Sequence, residues 1–66
     1  MRIVLNGEPR DAADNLLLSE LLVSLQLDSS RVAVEVNEKI VPRARHATHS
    51  LKEGDRLEVV TFVGGG

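Results

Sequence analysis

A single leucine stripe limits what this chain of 66 residues can fold into. Leu18, Leu21, Leu22 and Leu25 are spaced at i, i+3, i+4 and i+7, which places all four side chains on one side of a helix. It is the one segment that we predict to form a main helix. The other ordered segments must therefore be strands, turns and short loops.

The start of this helix is poorly marked in the sequence. Asp14 and Asn15 are residue types that cap helices, and we expect the helix to begin close to them. Leu17 occupies the position where a Ser or Thr would form a capping box with Glu20. The sequence therefore predicts no capping box at this end.

Two strands and a tight turn are predicted before the helix. Residues 2–5 are suited to a strand, and Asn6-Gly7 follows directly as a two-residue hairpin turn, because both residue types tolerate positive φ. A short second strand is expected over residues 8–12. Pro9 assigns that strand to a sheet edge.

Further strands are predicted after the helix. Residues 32–36 alternate cleanly, with three valines on one face. Asn37-Glu38 can turn the chain into a strand over residues 39–41, and Pro42 ends that strand.

The last part of the chain combines a loop with one more strand. Residues 43–50 show no strong period and predict a loop with a short helical turn before Leu51, which we expect to plug the core. Gly54-Asp55 then introduces a last strand over residues 56–63.

This order of elements predicts an α+β fold with a mixed sheet of four to five strands and one main helix packed across it. A right-handed crossover lets the last strand lie parallel to the first in the middle of the sheet. Such an arrangement is the β-grasp, or ubiquitin-like, fold. We expect a domain over residues 1–63, followed by a flexible glycine tail over residues 64–66.

Composition argues against several functions. The net charge is −2 and the basic residues are scattered, whereas nucleic acid binding relies on clustered positive charge. There is no cysteine, and no apolar run approaches the roughly 20 residues of a membrane span. We therefore expect a cytoplasmic protein that binds neither nucleic acid nor a membrane.

The alternation of the last strand predicts an exposed apolar face. Leu57 and Val59 share one face, so Val60 and Phe62 should face water on the other. Val4 is expected to lie on the same outer face, beside Val60 or Phe62 if the two strands are neighbours. An exposed apolar patch of this kind is typical of a docking surface, so we predict that these three residues bind a partner.

The final three residues, Gly64, Gly65 and Gly66, follow the last strand without a spacer. Glycines have no Cβ and can thread a narrow channel, and three extended residues could carry a terminal carboxylate roughly 10 Å from the folded body. We interpret that carboxylate as a reacting group. A linker scar or a disordered end is the alternative explanation.

Other candidate sites are weak. His46 and His49 lie three residues apart, but two histidines make a poor metal site, and we expect a solvated loop pair and no metal. Glu53, Asp55 and Glu58 offer carboxylates, yet a chain this short lacks a cleft to hold a substrate. We expect them to form a solvated face that meets a basic partner.

With these features in place, the sequence resembles the ThiS family, the sulfur carrier proteins of thiamin thiazole biosynthesis. The resemblance spans nearly the whole chain. It is carried by residues 5–9, 32–37, 40–43 and 51–60 and by the terminal glycines.

The resemblance implies a reaction at the last residue. An E1-like adenylyltransferase of the ThiF type would use ATP and Mg²⁺ to adenylate Gly66, with no cofactor bound by this chain. Sulfur from a donor system would then replace AMP and give a C-terminal thiocarboxylate. A thiazole synthase of the ThiG type would accept that sulfur, so the chain itself would be a carrier and no enzyme.

Three positions depart from the family pattern, and they affect scaffold details. Glu38 stands where a turn glycine is common, Leu17 replaces a typical Thr, and Gln26 replaces a glycine that often ends the helix.

The sequence also allows other functions. The chain could be a sulfur carrier for molybdopterin, cysteine or tRNA thiolation, or a ubiquitin-like adaptor that does not react.

Overall fold

The computed structural model describes residues 1–62. These residues form a mixed five-stranded sheet with the strand order β2-β1-β5-β3-β4 and one α-helix, α1. The strands are β1 (Arg2–Leu5), β2 (Glu8–Asp11), β3 (Val32–Val36), β4 (Lys39–Ile40) and β5 (Arg56–Thr61), and α1 covers Leu18–Ser24. The predicted β-grasp plan is confirmed.

The sheet consists of two hairpins joined by the last strand. β1 pairs with β2 and β3 pairs with β4, in both cases antiparallel. β5 lies between the hairpins, parallel to β1 and antiparallel to β3. The last strand therefore lies parallel to the first in mid-sheet, as the order of elements predicts.

Strand ends differ from the sequence prediction by one or two residues. β2 ends at Asp11 and β4 at Ile40, each one residue earlier than expected. β5 ends at Thr61, so the prediction that Phe62 belongs to the strand is wrong, and Val63 lies outside the described residues.

Both hairpin turns use the left-handed backbone that their sequences require. Asn6 and Gly7 have φ values of 50° and 84°, and Asn37 and Glu38 have φ values of 52° and 70°. Positive φ at both central residues matches the right-handed twist of the flanking strands. The two turns are therefore of the same kind, although Glu38 adopts this conformation without the freedom of a glycine.

The core lies between α1 and one face of the sheet. Alternation along β3 buries its three valines, and Leu51 is fully buried, which confirms its predicted role as a core plug. The buried apolar side chains of the described residues are Ile3, Leu18, Leu21, Leu22, Val32, Val34, Val36, Val41, Leu51, Leu57 and Val59. No helix in this part of the chain is long and apolar enough to cross a membrane.

The start of α1 is capped by distant backbone, and the prediction of Asp14 or Asn15 is wrong. The N-cap is Leu17, whose backbone N–H donates to Glu20 Oε1 at 2.9 Å. Leucine offers no side-chain acceptor, so only this half of a capping box forms. Asp14 is exposed and instead pairs with the amino terminus at 3.2 Å.

Carbonyls from the loop before Leu51 replace the missing side-chain cap. The N–H of Leu18 donates to the carbonyl of His49 at 2.8 Å, and the N–H of Ser19 donates to the carbonyl of His46 at 2.9 Å. The first N–H groups of a helix have no partner within the helix, so these bonds satisfy them. The loop therefore fixes the position of α1 on the sheet.

The end of α1 is a Schellman motif built around Gln26. The N–H of Gln26 donates to the carbonyl of Val23, and the N–H of Leu27 donates to the carbonyl of Leu22, both at 2.9 Å. Gln26 has a φ of 61°, which glycine adopts freely and other L-residues adopt at a cost of about 1–2 kcal/mol. A glutamine therefore occupies a backbone position suited to glycine.

We expect Gln26→Gly to raise the free energy of unfolding by about 0.5–1 kcal/mol, because the relieved backbone strain exceeds the added entropy of the unfolded chain. Urea unfolding followed by circular dichroism measures the change. Ser24→Gly, at the last residue of α1, is the matched control and should destabilise by about 0.5 kcal/mol, because glycine there adds unfolded-chain entropy without relieving backbone strain. A lower urea midpoint for Gln26→Gly would contradict this account of the helix end.

Candidate functional site

The exposed end of β5 is the candidate site. Val60 and Phe62 are 60% and 57% exposed, whereas Leu57 and Val59 are buried against the core. The prediction that the first two side chains face water is therefore confirmed. In the sequence, these large apolar side chains come just before Val63 and the terminal glycines.

Val4 does not lie beside Val60 or Phe62, so that part of the prediction is wrong. In the parallel pairing of β1 with β5, Val4 is the partner of Arg56 and Leu5 is the partner of Leu57. Val60 is four residues further along β5, which corresponds to roughly 13 Å. Val4 does lie on the outer face of the sheet, as predicted. Ile3, which faces the core, is fully buried, whereas Val4 is half-buried.

The actual neighbours of the exposed pair come from β3 and the turn before it. Val60 is the cross-strand partner of Ala33, which is also exposed. The N–H of Phe62 donates to the carbonyl of Arg31 at 2.8 Å. We call Ala33, Val60 and Phe62 the apolar patch.

The turn that holds Phe62 is itself capped by a carboxylate. Asp28 Oδ1 accepts from the backbone N–H and the hydroxyl of Ser30, at 2.9 and 2.8 Å, at the start of a 3-10 helical turn over Ser29–Arg31. These hydrogen bonds from Ser30 hold the pKa of the exposed Asp28 carboxyl below its ordinary value. The bonds stabilise the charged form of the carboxyl group. Their contribution to the free energy of unfolding is therefore present above the pKa that Asp28 has in the unfolded chain, and it is lost as the pH falls through the pKa in the folded chain.

An acidic band lies next to the apolar patch. Glu58 on β5 and Glu35 on β3 are direct cross-strand partners, and both are exposed. A surface depression of about 490 Å³ is lined by these two glutamates and by Asn37, Glu38 and Arg56. Like charges directly opposite each other destabilise a sheet, and Arg56, which lines the same depression, supplies a positive charge there.

The carboxylates predicted to form one solvated face do not lie together. Glu53 and Glu58 are exposed, but Glu53 accepts a hydrogen bond at 2.8 Å from the N–H of Arg2, at the start of β1. Asp55 is only 9% exposed, so its assignment to a solvated face is wrong. Its two oxygens accept from Asn37 Nδ2 at 2.9 Å and from the N–H of Lys52 at 2.8 Å, which makes it a structural anchor.

His46 is also structural, and its prediction as a solvated residue is wrong. The side chain is 2% exposed, with Nε2 lying 3.0 Å from the carbonyl of Val41 and Nδ1 lying 3.1 Å from Ser29 Oγ. A carbonyl only accepts, so Nε2 carries the hydrogen that it donates to Val41. His49 is partly buried. Within residues 1–62, no three His, Cys, Asp or Glu side chains are grouped to hold a metal ion.

Asn6 contacts β5 in a way that its role as a turn residue did not predict. Its Oδ1 accepts from the N–H of Val59 at 2.8 Å, and its Nδ2 donates to the carbonyl of Val59 at 3.3 Å. The regular pairing of β1 with β5 covers only Val4 and Leu5. The side chain of Asn6 therefore extends the contact between the two strands towards the apolar patch.

Comparison with known proteins agrees with this geometry. The family model described as the ThiS family matches residues 3–66. This chain belongs to the ThiS family. The resemblance inferred from the sequence is therefore confirmed, and the family match includes both the apolar patch and the terminal glycines.

Individual relatives support the assignment to the ThiS family. The chain is 30% identical over 66 residues to the protein named sulfur carrier protein ThiS of Escherichia coli K12, with 100% of both chains covered. It is 33% identical to the crystal structure of a thiamine biosynthesis protein, ThiS, from Geobacter metallireducens, with a TM-score of 0.84 and 100% of both chains covered.

A longer relative carries a different name. The chain is 44% identical over 66 residues to a protein of Paramagnetospirillum magneticum named thiazole synthase. The match covers 100% of this chain but spans only 20% of the length of that relative. A segment similar to this chain is therefore part of a longer chain there.

We expect the two faces of β5 to respond differently to a charge. Val60→Asp and Phe62→Asp should lower the free energy of unfolding by no more than about 1 kcal/mol, because both side chains are largely in water and only strand propensity is lost. Val59→Asp buries an unpaired charge and should cost several kcal/mol, enough to unfold a small domain. Urea unfolding of the three variants measures this, and loss of the fold in Phe62→Asp would show that the apolar patch belongs to the core.

Proposed function

We propose that this ThiS family protein is a sulfur carrier of thiamin biosynthesis and that Gly66 provides the carboxyl group that holds the sulfur. The observation that carries the proposal is the family match over residues 3–66, which includes all three glycines. The E. coli relative named as a sulfur carrier, matched along its full length, supports it. In this proposal the chain is a protein cosubstrate and the enzymes are its partners.

The chemistry requires an activated carboxyl group. A carboxylate resists nucleophilic attack, so one oxygen of Gly66 first attacks the α-phosphorus of ATP, which releases pyrophosphate and leaves an acyl adenylate. Hydrosulfide, or a donor that delivers sulfur at that oxidation level, then attacks the carbonyl carbon and AMP departs, which gives a thiocarboxylate without any redox change. We assign ATP, Mg²⁺ and the positive charge around the nucleotide to an E1-like adenylyltransferase of the ThiF type, which also aligns the reacting groups.

Glycines are the residues suited to deliver this carboxyl group. Gly64 and Gly65 have no side chain to block entry into a narrow active site, and they tolerate backbone angles that other residues avoid. The partner can therefore enclose the nucleotide and exclude water while the terminal residue enters. The folded domain stays outside and supplies the docking surface.

We assign docking to the apolar patch and the acidic band together. Ala33, Val60 and Phe62 are exposed beside the paired glutamates Glu35 and Glu58. Apolar side chains supply binding energy, and the carboxylates favour a basic partner surface and speed association. Val4, which is half-buried and opposite Arg56, belongs at most to the edge of this surface.

A thiazole synthase of the ThiG type is the proposed acceptor of the sulfur. The support comes from the longer relative named thiazole synthase, of which a segment like this chain forms a fifth. Two domains joined in one chain have a high effective concentration relative to each other, which favours the transfer of a chemical group from one domain to the other.

Deleting Gly65 and Gly66 should abolish thiamin-independent growth of a strain that lacks its own carrier. The shortened chain should still bind the adenylyltransferase, since the docking surface is retained, and calorimetric titration measures that binding. An adaptor that does not react would keep both its affinity and its activity. Normal growth with the shortened chain would therefore overturn the carrier proposal.

Phe62→Asp should weaken binding to the adenylyltransferase by more than about tenfold, because a buried aromatic anchor at the centre of an interface commonly carries that much free energy. Val23→Asp is the matched control, since Val23 is 73% exposed on α1, away from the outer face of the sheet. Its affinity should stay within about twofold. Equal affinities of the two variants for the adenylyltransferase would show that the apolar patch is not part of the interface.

A further inference from the structure

The side chain of Asn6 acts as a substitute for a strand backbone. The N–H of Asn6 donates to the carbonyl of Leu57 at 2.8 Å, which is the last backbone bond of the regular β1 ladder. Its Oδ1 and Nδ2 then bond to the N–H and carbonyl of Val59, two residues further along β5. The amide thus occupies the place of the next peptide group of β1, although the chain has already turned towards β2.

This contact lies at a position that affects the tail. Val59 is one residue before Val60 and three before Phe62, so Asn6 holds β5 on the β1 side close to where the strand leaves the sheet. On the other side, β3 holds it through the pairs Val34–Val59 and Val32–Thr61. The N–H and the carbonyl of Val59 both bond to the side chain of Asn6, whereas Val34 lies opposite Val59 with its own carbonyl accepting from the N–H of Val41. Asn6 is therefore the hydrogen-bond partner of the Val59 backbone.

Asn37 provides a natural comparison at the opposite end of β5. It starts the equivalent turn between β3 and β4, also with a left-handed backbone. Its N–H donates to the carbonyl of Arg56 at 2.8 Å, and its Oδ1 accepts from the N–H of Arg56 at 3.0 Å. The two asparagines therefore anchor the two ends of one strand in a similar way, and only Asn6 is near the exit.

We propose that Asn6 is a positioning residue whose amide fixes the direction in which β5 leaves the sheet and so guides the Gly66 carboxyl group to the nucleotide of the partner. This inference rests on the proposed function. Seven residues follow Val59 and reach at most roughly 24 Å, so the point and direction at which β5 leaves the sheet limit where the Gly66 carboxyl group can go. A misplacement of about 1 Å can cost on the order of a hundredfold in rate.

The test compares Asn6→Gly with Asn37→Gly in adenylation by the ThiF-type enzyme with ATP and Mg²⁺. Glycine keeps the left-handed turn in both variants and removes one amide from each. Pyrophosphate release at varied carrier concentration gives kcat and KM. We expect Asn6→Gly to lower kcat by about tenfold to a hundredfold with KM within about twofold, because the apolar patch is unchanged. Asn37→Gly should retain kcat within about twofold under conditions where both variants are folded.

A second measurement is independent of the reaction. Amide hydrogen exchange should be faster at Val59 in Asn6→Gly and unchanged there in Asn37→Gly. Asn6→Asp keeps the acceptor for the N–H of Val59 and tolerates positive φ, but it cannot donate to the carbonyl. It should restore the protection of Val59 and part of kcat, which a general loss of stability would not explain.

Two results overturn the inference while leaving the proposed function intact. One is a wild-type kcat in Asn6→Gly, and the other is an equal loss of kcat in the two glycine variants. Failure of the wild-type chain to be adenylated at all by an active enzyme would instead overturn the proposed function. The two proposals are therefore tested by different outcomes of the same experiment.

Discussion

The hydrogen bonds of β5 hold the described part of the chain together. β1 with β2 and β3 with β4 form two separate hairpins, and within residues 1–62 only β5 pairs with both of them. Its partners in β1 are more than 50 residues away in sequence, so closing this sheet costs chain entropy that the buried side chains must offset. Folding therefore depends on the last strand, and that strand also leads directly into the proposed reacting group.

Alternation along β5 separates stability from recognition. Leu57 and Val59 are buried between the sheet and α1, whereas Val60 and Phe62 point into water. Because neighbouring side chains in a strand face opposite ways, one short segment can both complete the core and present an apolar surface. A partner can cover the outer residues without disturbing the inner ones.

Local patterns predicted most of the fold. The valines of β3, the leucines of the helical stripe and the two hairpin turns depend on residues close in sequence, and they were located correctly except for Leu25, which is the C-cap one residue beyond α1. The register of β1 against β5 depends on the whole crossover, so the expected contact of Val4 with Val60 was wrong. Even so, the alternation of side chains along the last strand was sufficient to identify Val60 and Phe62 as exposed.

Errors in the polar residues have a common physical origin. The helix cap comes from carbonyls of His46 and His49, and Asp55 is held by Asn37 and Lys52. The cap bonds join α1 to the loop before Leu51, and Asn37 is 18 residues away from Asp55, so no local spacing marks these contacts. The same holds for Asn6, whose turn was predicted from Asn-Gly but whose bonds to Val59 required the paired strands. The chemistry of Gly66 is inferred from the sequence and from family membership.

Intact-protein mass spectrometry tests the central claim most directly. The chain is incubated with ATP, Mg²⁺, an active ThiF-type adenylyltransferase and a sulfur source, and the product is fragmented to locate any change. The account predicts the mass change of one oxygen replaced by one sulfur, located at Gly66 and absent without ATP. An unaltered mass after an incubation in which the enzyme modifies its own known carrier would contradict the account.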